Sequence, residues 1–129
     1  LTCVDILKPT EHKNFAIVDA AMNDLIRPAL YQSEMAVIPT TLGDDAPKVW
    51  DIVGAICETG DFLAKNRALA LADNDILAIT GAGAYGFVMS SNYNSRPRAC
   101  EVLIKDSAPH VVRERETLDS LWQQESCID

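Results

Sequence analysis

The residues able to do chemistry fall in three short stretches. Cys57-Glu58-Thr59-Gly60-Asp61 sets a thiol beside a carboxylate just past an apolar run. A thiol donates or accepts a proton, and a glutamate can hold an ammonium group. Upstream, Asn23-Asp24-Leu25-Ile26-Arg27-Pro28-Ala29-Leu30-Tyr31 carries a guanidinium and a phenol at i, i+4 spacing. A guanidinium grips a carboxylate through two parallel hydrogen bonds, and the phenol can add a third. Downstream, Gly81-Ala82-Gly83-Ala84-Tyr85-Gly86 has the spacing G-x-G-x-x-G. Glycines there let the backbone and Tyr85 come close to a phosphate.

Each stretch also has an ordinary alternative. Cys57 can be a small buried hydrophobe at a strand end. Arg27 can be a surface arginine and Tyr31 a half-buried core residue. The glycine loop can be a flexible turn, or it can open a dinucleotide fold with a helix over Phe87–Tyr93, a second strand over Ala99–Lys105 and Asp106 at the ribose. Against that last reading, the helix would end after about two turns at Asn94-Ser95-Arg96-Pro97, whereas a parallel crossover needs about ten or more residues. A small nucleotide-binding protein built on Gly81–Gly86 is thus one alternative for the whole chain. His12 and His110 stand apart from other ligand-type residues, and no metal site is expected.

These stretches must be positioned by the elements around them. Residues 2–7 and 14–19 alternate around a polar loop at 8–13 and predict a hairpin. Pro28 disfavours helical geometry at Arg27 but suits a first helical position, so a single helical turn is expected from Pro28. A strand is expected at 34–38, then a loop at 40–47 rich in Thr, Gly, Asp and Pro. Lys48–Cys57 reads as one long strand, with Val49, Asp51, Val53, Ala55 and Cys57 on one face and Trp50, Ile52, Gly54, Ile56 and Glu58 on the other. Asp73-Asn74-Asp75 marks a turn before a strand at Ile76–Thr80. Residues 100–105 and 109–115 predict an antiparallel pair. Leu118, Leu121 and Trp122 lie at helical spacing after Thr117, a candidate N-cap. Six or seven short strands with only small helices make the expected fold all-β, a barrel or sandwich.

The bulk properties narrow the classes. The chain has 129 residues, which fits one domain, and 48% are hydrophobic, enough for a packed core. A net charge of −8 repels phosphate backbones, so nucleic acid is excluded as the expected partner. No apolar run is long enough to span a bilayer, so no membrane is expected. Cys3, Cys57, Cys100 and Cys127 are widely and irregularly spaced. That pattern fits neither a disulfide framework nor a zinc knuckle and predicts a reducing, cytoplasmic setting. A first residue of Leu1 is read as a trimmed chain or a piece of something longer.

The three motifs occur together and in order, preceded by Phe15-Ala16-Ile17-Val18-Asp19-Ala20-Ala21-Met22. In that order they resemble the carboxyl-terminal domain of the diaminopimelate decarboxylase family, over roughly Lys8 to Lys105. These enzymes use pyridoxal phosphate and belong with the alanine-racemase-like and ornithine-decarboxylase-like group. The resemblance implies a β-rich second domain that follows an amino-terminal β/α barrel carrying the cofactor's lysine. No barrel pattern and no such lysine are legible here, so this chain alone is expected to be inactive. It further implies that Tyr85 binds the cofactor phosphate, with Gly83 and Gly86 clearing space, and contributes to the substrate site. Arg27 and Tyr31 would bind the distal carboxylate of the substrate, and Glu58 its distal ammonium. Cys57 would serve catalysis near the reacting carbon, by proton delivery. The Cys57–Glu58 pair would reach into the site of a partner subunit, implying a homodimer with shared sites. The product would be L-lysine, released with carbon dioxide. A non-catalytic regulatory or interaction module of the same fold is the remaining alternative.

Overall fold

The computed structural model describes residues 1–128. Eight strands and one helical turn follow in order: β1 (Thr2–Pro9), β2 (Asn14–Val18), α1 (Arg27–Tyr31), β3 (Val37–Pro39), β4 (Lys48–Val53), β5 (Phe62–Leu69), β6 (Ile76–Ile79), β7 (Glu101–Lys105) and β8 (Ala108–Arg113). Six of them form one sheet in the order β3-β6-β1-β2-β4-β5, while β7 and β8 form a separate two-stranded ribbon. The sheet curls until its edge strands β3 and β5 approach each other and nearly close a barrel. Arg67 on β5 stitches that seam, donating from Nη2 to the carbonyl of Met35 at 3.1 Å. The all-β expectation holds.

The core explains which strands curl. Val4, Val18, Leu25, Val37, Trp50, Ile52, Leu63 and Leu77 bury their side chains inside the curled sheet. The β1–β2 hairpin is antiparallel as expected, while β2 runs parallel to β4 because the chain crosses the barrel through α1 and β3 between them. The Asp73–Asp75 turn is present, with Asn74 in the left-handed region that asparagine tolerates. β7 pairs antiparallel with β8, as alternation predicted.

Four expectations need correction. The strand expected at 48–57 stops at Val53. Its two-face alternation also fails, because Trp50, Asp51 and Ile52 are all buried and the register against β5 shifts at this point. The Asp51 carboxylate causes the shift: Oδ1 accepts the Asn66 N–H at 2.8 Å and Oδ2 pairs with Lys13 Nζ at 2.7 Å. Asn66 itself has φ 55°, so the backbone bulges around that carboxylate. Second, β5 has no counterpart among the expected strands. Third, the strand expected at 34–38 is confined to Val37–Pro39. Fourth, the helix that the dinucleotide alternative places over Phe87–Tyr93 is only a 3-10 turn at Phe87–Met89, with another at Tyr93–Ser95. The tail likewise holds a 3-10 turn at Asp119–Leu121, with Thr117 Oγ1 accepting the Ser120 N–H. No crossover helix returns the chain from the glycine loop to the sheet, and β6 pairs antiparallel with both β1 and β3.

The segment after the ribbon is tied back through one acid. Glu116 accepts from the Arg98 guanidinium, the Arg98 N–H and Asn92 Nδ2. The Arg98 side chain, then those other donors, hold its carboxyl down at about 2 from an ordinary 4.5. A depressed folded value means that the clasp contributes fully above pH 4.5 and fades as pH falls through about 2. Protection factors of the amides over residues 92–98 and 114–117, taken against the intrinsic exchange rate at each pH, should therefore fall on acidification below pH 4.5, and Glu116→Gln should remove that dependence. Separately, Leu63→Ala should lower unfolding stability by about 2–5 kcal/mol in urea melts, because a fully buried side chain leaves a cavity.

Candidate functional site

The Cys57–Glu58 pair lies in the turn where the sequence led one to expect more strand. Gly54 begins this turn, and its location explains why β4 ends. A Cβ there would stand 2.4 and 2.5 Å from the two carboxylate oxygens of Asp61 and 2.7 Å from Ala21 Cα. Only glycine lets the chain pass. Glu58 N–H then donates to Ile56 O, and Asp61 N–H to Glu58 O, closing a tight loop. Cys57 and Glu58 ride on its outside, both exposed. Among the described residues Glu58 Oε1 accepts only from its own turn, from Thr59 Oγ1 at 3.1 Å and the Gly60 N–H at 3.4 Å. A groove lined by Lys13, Phe15, Phe62 and Lys65 borders it. Lys13 is committed to Asp51, and Lys65 lies over the Phe62 ring.

The Arg27 stretch is pinned at its start. Ser91 N–H donates to Asn23 O and Asn23 Nδ2 to Ser91 O, while Met22 N–H donates to Asp61 Oδ1. Asp24 accepts the Ala21 N–H at 3.0 Å. Burial pushes the Asp24 carboxyl above its ordinary value, and the Ala21 amide and the Arg96 guanidinium oppose that. Pro28 sits in the first turn of α1, as expected, and the turn ends at Gln32 in the left-handed region. Arg27 is half-buried and Tyr31 is exposed.

Arg27 joins this stretch to the glycine loop. Its Nη1 donates to the carbonyls of Gly81 and Ala84, each at 3.1 Å. No hydrogen bond joins it to Tyr31 among the described residues. A guanidinium has five N–H donors. Two on Nη1 clasp the loop, leaving Nε–H and the two Nη2 hydrogens for another acceptor. The loop itself depends on two glycines: Gly81 at φ 68°, and buried Gly86, where a Cβ would lie 2.1 Å from the Ala82 carbonyl. Gly83 has open space beside it. Between them Tyr85 sits at φ 58° and is 67% exposed. A phenol held outward beside an unobstructed glycine backbone fits one wall of a phosphate site.

Of the five candidate side chains, the fold therefore brings Arg27 against the loop that carries Tyr85. Cys57 and Glu58 form no hydrogen bond to Arg27, Tyr31 or Tyr85 among the described residues. Cys57, Glu58, Tyr31 and Tyr85 all face outward, each on a backbone that is internally fixed. Asp61 and Gly54 were present in the sequence without a role assigned. The signal available was a carboxylate four residues past Cys57 and a glycine seven residues before that carboxylate, which spacing alone does not pair.

The chain resembles known proteins along its whole length. The family model for the C-terminal sheet domain of pyridoxal-dependent decarboxylases matches residues 1–83. The diaminopimelate decarboxylase of Pseudomonas aeruginosa is 63% identical over 128 residues, 99% of this chain but 31% of that protein. A solved structure from Aquifex aeolicus superposes with TM-score 0.92 at 48% identity, covering 95% of this chain and 31% of the other. The diaminopimelate decarboxylase of Helicobacter pylori, solved with L-lysine, superposes with TM-score 0.87 at 40% identity, covering 95% of this chain and 30% of the other. This chain thus spans about a third of the length of these relatives. The similarity also extends past residue 105, beyond the stretch that carries the motifs.

Arg27→Ala should release the glycine loop. The two lost hydrogen bonds predict amide exchange across residues 81–86 faster by about five- to tenfold, from ~1 kcal/mol of net stabilisation. Exchange-coupled mass spectrometry reads this directly, and an unchanged rate would remove the clasp.

Proposed function

Since this chain belongs to the family of C-terminal sheet domains of pyridoxal-dependent decarboxylases, we propose that it is the carboxyl-terminal part of a diaminopimelate decarboxylase. The whole protein would convert meso-2,6-diaminopimelate to L-lysine and carbon dioxide in the cytoplasm. What carries the reading is similarity to diaminopimelate decarboxylases sustained across nearly the entire chain, in a chain that retains Arg27, Tyr31, Cys57, Glu58 and Tyr85. The four free cysteines fit a reducing compartment. Among the described residues no helix is long and apolar enough to cross a membrane.

The substrate has an amino-acid group at each end. Its distal end presents both a carboxylate and an ammonium, so recognition needs a fixed cation and a fixed anion. Arg27 retains Nε–H and Nη2 hydrogens beyond its clasp, enough for a side-on, two-bond grip on a carboxylate. Tyr31, one helical turn on, adds a hydroxyl. Glu58 supplies the anion for the ammonium. A substrate lacking the distal carboxylate would leave Arg27 without its partner, and an unpaired desolvated charge costs several kcal/mol, about a hundredfold or more in selectivity.

Pyridoxal phosphate, when bound, takes up the electrons left as carbon dioxide departs. Tyr85 and the open backbone at Gly83 would hold its phosphate. The rest of that cradle, including the cofactor's lysine, belongs to an amino-terminal β/α barrel outside this chain. Cys57 delivers a proton to the reacting carbon. The outward projection of Cys57 and Glu58 suits action across an interface, as in a homodimer whose sites are shared. On this reading the 129-residue chain by itself is inactive.

Two measurements test the reading on the full-length protein. It should release carbon dioxide from meso-diaminopimelate and form L-lysine, and Arg27→Ala should lower kcat/KM by about a hundredfold. Tyr85→Phe should weaken pyridoxal phosphate retention after gel filtration, by about ten- to a hundredfold in Kd for one lost hydrogen bond to a charged group. Absence of carbon dioxide release from the loaded wild type would overturn the assignment.

A further inference from the structure

Asp61 has no part in the proposed grip, yet it is the one buried residue of the stretch 57–61, at 4% exposure. A carboxylate withdrawn from water must find donors, and Asp61 finds one for each oxygen. Oδ1 accepts the Met22 N–H and Oδ2 accepts the Ile56 N–H, both at 2.7 Å. Its own carbonyl accepts the Gly54 N–H, and its N–H donates to Glu58 O. Gly54 lies flat against both oxygens, leaving no room for another side chain. Ile56 immediately precedes Cys57, and Met22 lies at the start of the segment that leads to Arg27. One side chain therefore holds the acidic turn and the basic segment to a common point, through opposite oxygens.

We infer that Asp61 is a positioning residue for substrate recognition: its carboxylate fixes the Cys57–Glu58 turn against the Met22–Arg27 segment, and so sets where Glu58 stands relative to Arg27. The inference rests on the function proposed above. The short contacts are charge-assisted, hence directional as well as strong. Asparagine has the same shape but offers one acceptor and an NH₂ group. In Asp61→Asn, either Met22 or Ile56 would face a donor with its own N–H, and the turn would move away. A displacement of about 1 Å in a group that must meet a charge costs about a hundredfold at worst.

L-Lysine retains the intact amino-acid end of diaminopimelate, so its affinity reads the grip without loss of carbon dioxide. In the full-length protein loaded with pyridoxal phosphate, Asp61→Asn should raise the calorimetric Kd for L-lysine about tenfold or more, with cofactor Kd changed by less than about twofold. The decisive comparison uses Glu58→Gln as background. Positioning a side chain that no longer bonds contributes little, so the loss from Asp61→Asn should shrink to about threefold or less there. An unchanged lysine Kd in Asp61→Asn, or an equal loss in both backgrounds, would reduce Asp61 to a general stabiliser and overturn the inference. If Asp61→Asn does not fold, Gly54→Ala, which drives a methyl group into the same carboxylate, is read by the same rule. Failure of the wild type to bind L-lysine would instead count against the proposed function.

Discussion

A carboxylate that gives up water must have both of its oxygens satisfied, and the way Asp61 meets that demand organises the region around it. Its partners are backbone amides, so the cost of burial is offset only if two chain segments come to the same place. Gly54 follows from this, because any larger residue would occupy the space of the oxygens. The end of β4 follows from Gly54. The outward turn that carries Cys57 and Glu58 follows from both.

Asp51 repeats the same physics on β4 itself. It is buried, uses one oxygen for the Asn66 amide and the other for Lys13, and shifts the register of β5 as a result. The barrel seam, at Arg67 and the Met35 carbonyl, is again a side chain satisfying a backbone group. The curled sheet thus owes its irregular points to polar groups, and its regular strands to apolar burial. Reactive side chains gather at the irregular points. Arg27 caps the carbonyls of a loop whose glycines take up left-handed or crowded geometry, and Tyr85 emerges from that loop exposed. Rigid backbone beneath outward side chains is the arrangement expected of a surface that completes a site with other protein.

The elements legible in the sequence were those governed by local rules. The β1–β2 hairpin, the Asn74 turn and the β7–β8 pair follow alternation and turn chemistry, and the turn at Pro28 follows from a fixed φ. β5 was illegible because Leu63 and Ala64 are consecutively buried and Lys65 and Asn66 consecutively exposed, which destroys a period of two. β4 was overextended for a related reason: three successive buried residues and a glycine held by a remote acid have no signature in spacing. The helix required over Phe87–Tyr93 by the dinucleotide alternative does not form, because glycine-loop geometry and Asn94 in the left-handed region break the segment into separate 3-10 turns.

By itself the sequence determined the all-β class and the family resemblance, and it offered the charged groups proposed to meet a zwitterion, since these rest on residue types and near-neighbour order. Only the tertiary structure decided that Arg27 divides its donors between the glycine loop and free space, and that Asp61 binds Met22 and Ile56 at once. The contacts of Arg27 with the loop and of Asp61 with Met22 join residues 39 to 57 positions apart. Hydrogen-bond partners at such separations are chosen by which segments the barrel brings together, and nothing in the local chain encodes the choice.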